Sequence, residues 1–297
     1  MKIKICSIGE CMIEITHIKN TIYKYSIAGD TLNFSSYLNP KNFNVFLLTG
    51  LGTSEINKTA LDFIKSKKIS LELVNRVTSK EIGLYLINND KSGEKKFYYW
   101  RDDSAAKFFF NNSINKINKN LKYYDYIYLT GITLSLIQLN KINQFINLIH
   151  SRKKKGSKII FDLNIREKRW SKKNLLLYLN KILPITDIIF ASGEDLACWK
   201  GSNNIKLFET VLKDFKIPHG IFRKNAKVNF SIYNGKKYMI KNKFLKNVVD
   251  TSGAGDGYNA AYISNFLTTS NPLKALQKAS KIGAKIVMKK GAIVDVR

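Results

Sequence analysis

Apolar residues along the chain gather into short runs separated by longer stretches of helical spacing. The first run, Ile3 to Ile8, stops at Gly9. Further runs at Val45–Thr49, Tyr126–Thr130, Lys158–Asp162, Asp187–Phe190 and Gly220–Phe222 predict buried strands. Between two of them Leu136, Ile137, Leu139, Ile142, Phe145, Ile146 and Ile149 recur at helical spacing and predict a helix over Leu136–Ile149; Leu175–Leu183 predicts another. Strands alternating with helices imply an α/β fold whose mostly parallel sheet is covered on both faces. Two stretches break the rhythm. Residues 11–28 read as short strands without a helix, and residues 83–101 read as a hairpin, Gly83–Asn88 returning through Lys95–Arg101 across a polar turn at Asn89–Gly93. A further hairpin lies between Phe230 and Ile240, with Asn234-Gly235 at its turn. The two β-rich insertions are either decorative hairpins or one small sheet forming a lid over a ligand. No internal repeat or Pro/Gly/Ser-rich linker divides residues 1–297, which read as a single domain.

Composition changes this picture in one respect. The 297 residues are 44% hydrophobic, as expected of a globular protein, but 50 Lys plus Arg against 22 Asp plus Glu give a formal charge of +28. A polyanion partner such as nucleic acid is one reading. The lysines are scattered rather than gathered in an arm, and Asn112–Asn120 alternates Asn, Lys and Ile, so drift of the whole surface is favoured and no specific nucleic-acid partner is expected. A positive field would still draw in anionic substrates. Cys6, Cys11 and Cys198 have no metal or disulfide spacing, which fits a reducing, cytoplasmic home. Glu10 and Glu14 interrupt the N-terminal apolar run, and no uncharged run is long enough for a membrane span, so neither export nor a membrane is expected.

The chemistry is concentrated in Asp250-Thr251-Ser252-Gly253-Ala254-Gly255-Asp256-Gly257, after the apolar pair Val248-Val249 and before the periodic run Ala260, Ala261, Ile263, Phe266, Leu267. The glycines therefore lie in a loop that opens a helix, where free N–H groups and the helix dipole hold an anion. A carboxylate at Asp256 repels a bound phosphate but suits a base that takes the proton of an attacking hydroxyl. The plainer alternative is a first-turn aspartate that stabilises its helix. Neither a Gly-x-x-x-x-Gly-Lys-Ser/Thr loop nor a Gly-x-Gly-x-x-Gly turn after the first strand is present.

The Asp250–Asp256 stretch resembles the C-terminal signature of the ribokinase (PfkB-type) carbohydrate kinases. Ala28-Gly29-Asp30-Thr31-Leu32-Asn33 is similar to that family's substrate loop, and Thr49-Gly50-Leu51-Gly52-Thr53 to the segment after its second core strand. The likeness runs from Ile3 to about Ala292. Within the family, the branch acting on 2-keto-3-deoxygluconate is the most similar. That likeness is carried by Gly9–Glu14, Gly83-Leu84-Tyr85, Gly93-Glu94, Phe97-Tyr98-Tyr99-Trp100-Arg101, Asp103–Phe108 and Phe161-Asp162-Leu163-Asn164-Ile165-Arg166. The resemblance implies a ribokinase-like three-layer α/β/α fold with a small β lid, and ATP-dependent phosphorylation of that sugar acid with Mg2+. It also implies Asp256 as base and Gly253, Ala254 and Gly255 as anion hole. Gly29, Asp30, Asn33, Tyr85, Tyr99, Arg101 and Arg166 would line the sugar site. Asn164, Arg166, Arg223, Lys224, Asn225, Val228 and Gly253–Gly255 would surround ATP, with Glu194 acting on magnesium through water. A guanidinium fork suits the sugar carboxylate, which singles out Arg101 and Arg166.

Two positions depart from the family. Ala191 stands where it usually has Asn three residues before the glutamate, and Arg223-Lys224-Asn225 replaces Lys-x-Gly near the nucleotide. Asn225 would then take the left-handed conformation a glycine provides. Exposed sheet edges on the lid suit a homodimer or higher homo-oligomer. A kinase for a neutral sugar such as fructose or ribose is the alternative that needs neither arginine. A non-catalytic kinase-fold binding protein is the alternative from a different class.

Overall fold

The computed structural model describes residues 1–89, 95–243, 245–246 and 248–296. Its strands are β1 (Ile3–Ile8), β2 (Met12–Lys19), β3 (Ile22–Ala28), β4 (Phe43–Leu51), β5 (Ile69–Ser70), β6 (Val74–Arg76), β7 (Gly83–Asn89), β8 (Lys95–Trp100), β9 (Tyr126–Thr130), β10 (Lys158–Asp162), β11 (Ile188–Ser192), β12 (His219–Arg223), β13 (Val228–Tyr233) and β14 (Lys236–Lys241). Its α-helices are α1 (Asp30–Tyr37), α2 (Glu55–Ser66), α3 (Ala105–Asn112), α4 (Ile114–Asn120), α5 (Gly131–Leu136), α6 (Ile142–Lys154), α7 (Lys172–Ile182), α8 (Gly193–Lys200), α9 (Ile205–Asp214), α10 (Ala254–Thr269) and α11 (Pro272–Val287).

The main sheet runs in the order β14-β13-β12-β11-β10-β9-β1-β4-β5, with β6 also on β4. Its pairs are parallel except β12–β13 and β13–β14. Alternate residues of the strands enter two cores. Ile159, Phe161, Ile189 and Phe222 pack on one face with α3 to α9; Tyr128, Ile160, Phe190 and Ile221 pack on the other with α1, α2, α10 and α11. Burying each such Phe contributes about 2–3 kcal/mol, so the three layers are held by the strand periodicity itself. Among the described residues no helix is long and apolar enough to cross a membrane.

Chain order reverses between β1 and β9, which are neighbours in space, and the carboxyl ends of such strands open the crevice where α/β folds take ligands. The two β-rich insertions pair into one sheet, β3-β2-β7-β8, beside that crevice. The strands β2 and β7 run parallel, a pairing that hairpin logic alone does not foresee. The turn expected at Asn89–Gly93, and Glu94 beside it, fall on residues 90–94, outside the described residues apart from the backbone of Asn89. The Asn234-Gly235 hairpin forms, with both residues at positive φ, 47° and 76°. The single helix expected over Leu136–Ile149 is instead α5 and α6. The Asn111 side chain causes the break, since it donates to the Leu136 carbonyl at 2.8 Å and accepts from the Gln138 N–H at 2.7 Å. Leu139, in the gap, is exposed.

Candidate active site

The Gly-rich loop leads into α10, with Gly253 as its N-cap at φ 68°. A side chain there would be strained and would run into the Ala292 carbonyl, so glycine is required. Gly257 N–H bonds back to Gly253, and Ala254 N–H makes a 3.3 Å bond to Thr251. Among the described residues the N–H groups of Gly255 and Asp256 have no protein partner, and at the open end of the helix they can donate to an anion. Arg223, at the end of β12, lies under this loop. Its Nη1 donates to the Gly255 carbonyl and to Asn259 Oδ1, both at 2.9 Å, and its Nη2 lies 3.9 Å from Asp162. Asn259 in turn donates to Asp162 at 2.9 Å. Burial pushes Asp162 up to about 8 against the pull of Arg223, with Asp195, Asp256 and Asp30 adding to the rise.

Asp256 is on the first turn of α10 and accepts a 2.8 Å bond from Asn33, on α1. Burial lifts its carboxyl to about 7 and nearby Asp30 adds to this, while Asn33, Arg166 and Arg223 oppose it. Such a value places a proton acceptor near neutrality. Asp30 opens α1 after Gly29, whose φ of 136° and closeness to the Glu10 carbonyl leave no room for a side chain. Asp30 accepts from Thr130 at 2.5 Å and from Asn164 at 3.3 Å, so residues at the ends of β9 and β10 hold it. Burial raises its carboxyl also.

The small sheet supplies an aromatic wall. Tyr85 stacks obliquely on Tyr99, with ring centres 5.9 Å apart, and its hydroxyl donates to buried Glu14 at 2.5 Å. Tyr99 is half-exposed, and the charges of Arg166 and Arg169 act on its phenol. Arg101 differs from the expectation that its fork awaits a ligand. The side chain is buried, forms an ion pair with Glu10 and lies 5.4 Å from the Tyr99 ring centre. Burial next to Arg169 pushes its pKa down to about 9. Arg166 is the reverse: exposed, its side chain without a hydrogen bond or ion pair among the described residues, yet close enough to Asp30 and Asp256 to bias both carboxyls.

On the other side of the loop, Asn225 does not adopt the left-handed conformation expected of it. Its side chain accepts from the N–H groups of Lys227 and Val228 at 2.9 and 3.0 Å, closing the β12–β13 turn as an Asx turn. Among these residues it is Asn164 that takes positive φ, 32°. Glu194 is exposed on the first turn of α8 and makes no ion pair among the described residues; the structural carboxylate there is Asp195, which caps the helix with Ser192 and accepts from Ile165 N–H. Among the described residues no group of three or more His, Cys, Asp or Glu could hold a metal ion.

Sequence reasoning gave no site role to Glu10, Glu14, Asp162, Asn259 and Arg169. The two glutamates carried a signal, being acids inside an otherwise apolar run. The other three carried none, since their meaning comes only from what they touch.

The profile of the pfkB family carbohydrate kinases matches residues 2–297. The 2-dehydro-3-deoxygluconokinase of Haemophilus influenzae is 32% identical over 302 residues, covering 98% of this chain and 96% of the relative. Among solved structures, the 2-dehydro-3-deoxygluconokinase of Thermotoga maritima superposes with a TM-score of 0.83 at 19% identity, over 99% of this chain and 95% of that one. A candidate ribokinase II of Escherichia coli in complex with ATP and magnesium gives 0.85 at 17% identity, over 98% and 94%. These superpositions show a shared ribokinase-like fold.

Proposed function

The chain belongs to the pfkB family of carbohydrate kinases and is a phosphotransferase; from that premise we propose that it transfers the γ-phosphoryl group of ATP to a hydroxyl of 2-keto-3-deoxygluconate, giving 2-keto-3-deoxy-6-phosphogluconate. The observation that carries this reading is Arg166, an unpaired guanidinium beside Asp256, Asp30 and the Tyr99 wall. A sugar acid brings the carboxylate that such a fork binds. In this reading Arg166 takes the sugar carboxylate and Asp256 the hydroxyl at the other end.

Asp256 takes the proton of that hydroxyl as its oxygen bonds to the γ-phosphorus, while the bond to the β-phosphate oxygen breaks and ADP leaves. The Gly255 and Asp256 N–H groups, at the positive end of α10, hold the charge on the transferring group. Gly29, Asp30 and Asn33 position sugar hydroxyls, and Tyr85 and Tyr99 cover the ring and exclude water. Asn164, Lys224, Asn225 and Val228 flank the nucleotide together with Gly253–Gly255, and Arg223 steadies this loop from below. Magnesium brought with ATP would supply charge neutralisation, and Glu194, exposed on the first turn of α8, would act on it through water. Free, buried Cys6 and Cys11 suit a reducing cytoplasm. Exposed Tyr98 and Trp100 on the edge strand β8 suit self-association into a homodimer.

One observation favours a second reading. With Arg101 committed to Glu10, one of the two arginines singled out for the carboxylate is already paired, and a neutral sugar such as fructose or ribose needs neither. Magnesium-dependent ATP consumption with 2-keto-3-deoxygluconate, gluconate, fructose, ribose and no sugar separates the two. Preferred turnover on the keto-deoxy acid is expected, with kcat about 1,000-fold lower in Asp256→Asn. Turnover on fructose or ribose alone would remove the carboxylate from the argument.

A further inference from the structure

Tyr37 ends α1, one turn after Asn33, so the two side chains leave the same face of that helix. Asn33 holds the Asp256 carboxylate directly, at 2.8 Å. Tyr37 reaches the same helix one residue further along. Its ring packs on Gly257 so closely that a Cβ there would come within 3.1 Å of two ring carbons. The hydroxyl then bridges the C-terminal segment, donating to the Ala292 carbonyl and accepting from the Val294 N–H, each at 2.9 Å. The Ala292 carbonyl is the group pressed against Gly253. A single side chain thus touches the residue after the base and holds the segment that backs the loop before it.

The setting makes these contacts rigid. Both hydrogen bonds of the phenol go to backbone groups, so no rotamer change in a partner can relieve their loss. Burial keeps the phenol protonated, pushing it up to about 12, so the donor is present throughout the working pH range.

We propose that Tyr37 is a positioning residue: it registers the sugar-bearing helix α1 against the Gly253–Asp256 loop, so that the base and the free N–H pair are aligned on the same reacting phosphoryl group. This rests on the phosphotransferase reading of the loop but not on the identity of the sugar. Nothing in the geometry places Tyr37 in contact with sugar or nucleotide, so its loss should act on the chemical step and spare binding.

The test is Tyr37→Phe, which keeps the ring and removes only the hydroxyl. With whichever sugar the wild type turns over best, kcat should fall about tenfold while KM for sugar and for ATP stay within twofold. Hydrogen–deuterium exchange of the ligand-free protein supplies a readout that needs no substrate. Amides of 251–257 and 291–296 should exchange faster in the variant, and those of the β9–β10 core should not. Should the wild type prove inactive on 2-keto-3-deoxygluconate, the substrate assignment fails, while the exchange comparison still decides the role of Tyr37. An unchanged kcat, equal losses in binding, or unaltered exchange at 251–257 would each overturn the proposal.

Discussion

The two ends of the cleft are built in opposite ways. At the end we assign to the nucleotide, the proposed chemistry lies in one contiguous loop, and part-buried Arg223 with buried Asn259 and Asp162 fixes it from below. At the end we assign to the sugar, the groups come from four separate places: Asp30 and Asn33 from α1, Tyr85 and Tyr99 from the small sheet, Arg101 from the segment after it, and Arg166 from beyond β10. Here the ring of Tyr99 and the guanidinium of Arg166 stand exposed, whereas Arg101 is already ion-paired with Glu10. The difference shows where each end obtains its specificity. The nucleotide end is shaped before any ligand arrives, as charge stabilisation during transfer demands. The sugar end keeps partners free for the ligand to complete.

The sharpest way to break this contrast is at Arg223. If its role is to brace the loop, Arg223→Gln leaves the Gly255 carbonyl and Asn259 without their donor and loosens the free N–H pair. We expect kcat to fall about 100-fold, with stability lower by about 2 kcal/mol on denaturant unfolding and KM for ATP little changed. A large rise in KM for ATP at constant kcat would make Arg223 a nucleotide ligand, as the sequence implied, and would erase the distinction between a braced end and a completed one.

The matching change at the sugar end is Arg166→Gln. Loss of one charge-assisted contact of about 2 kcal/mol corresponds to roughly a 30-fold rise in KM for the sugar acid. Neutral sugars should show no such rise, and initial-rate kinetics on the two classes of substrate checks this. Equal effects on acid and neutral sugars would mean that Arg166 serves the phosphate side of the cleft and not the carboxylate.

The same contrast explains what was legible in the sequence. The strands Ile3–Ile8, Tyr126–Thr130 and Lys158–Asp162 could be read because burial on both faces leaves unbroken apolar runs. The Asp250–Asp256 loop could be read because glycines, a helix start and a carboxylate are adjacent along the chain. The state of Arg101 could not, since its partner Glu10 lies 91 positions away and the pairing depends on how the small sheet docks. The helix break at Ile137–Lys141 was hidden for a similar reason: apolar spacing continues through it, and a side chain from α3 overrides that local pattern. Asn225 was read for its backbone tolerance, when its amide oxygen does the work of closing the turn.

The smallest predicted effect concerns what the braced end costs. Asp256 is held at about 7, far above the ordinary aspartate value, chiefly by burial. As the proposed base it must be ionised, so kcat should rise with pH through about 7 and fall roughly tenfold for each unit below it. Stability should move the other way. The folded state takes up this proton more readily than the unfolded chain, so ionising Asp256 costs stability as pH climbs through the folded value. Asp256→Asn should therefore be more stable than the wild type at pH 8, and the gain should fade as pH falls from about 7 towards 4, where both side chains are neutral. Thermal melts of the two proteins at pH 8 and pH 5 measure this. A variant that is less stable at both values would show that the Asn33–Asp256 contact outweighs the cost of burying the charge, and that this end of the cleft is built for stability as well as for transfer.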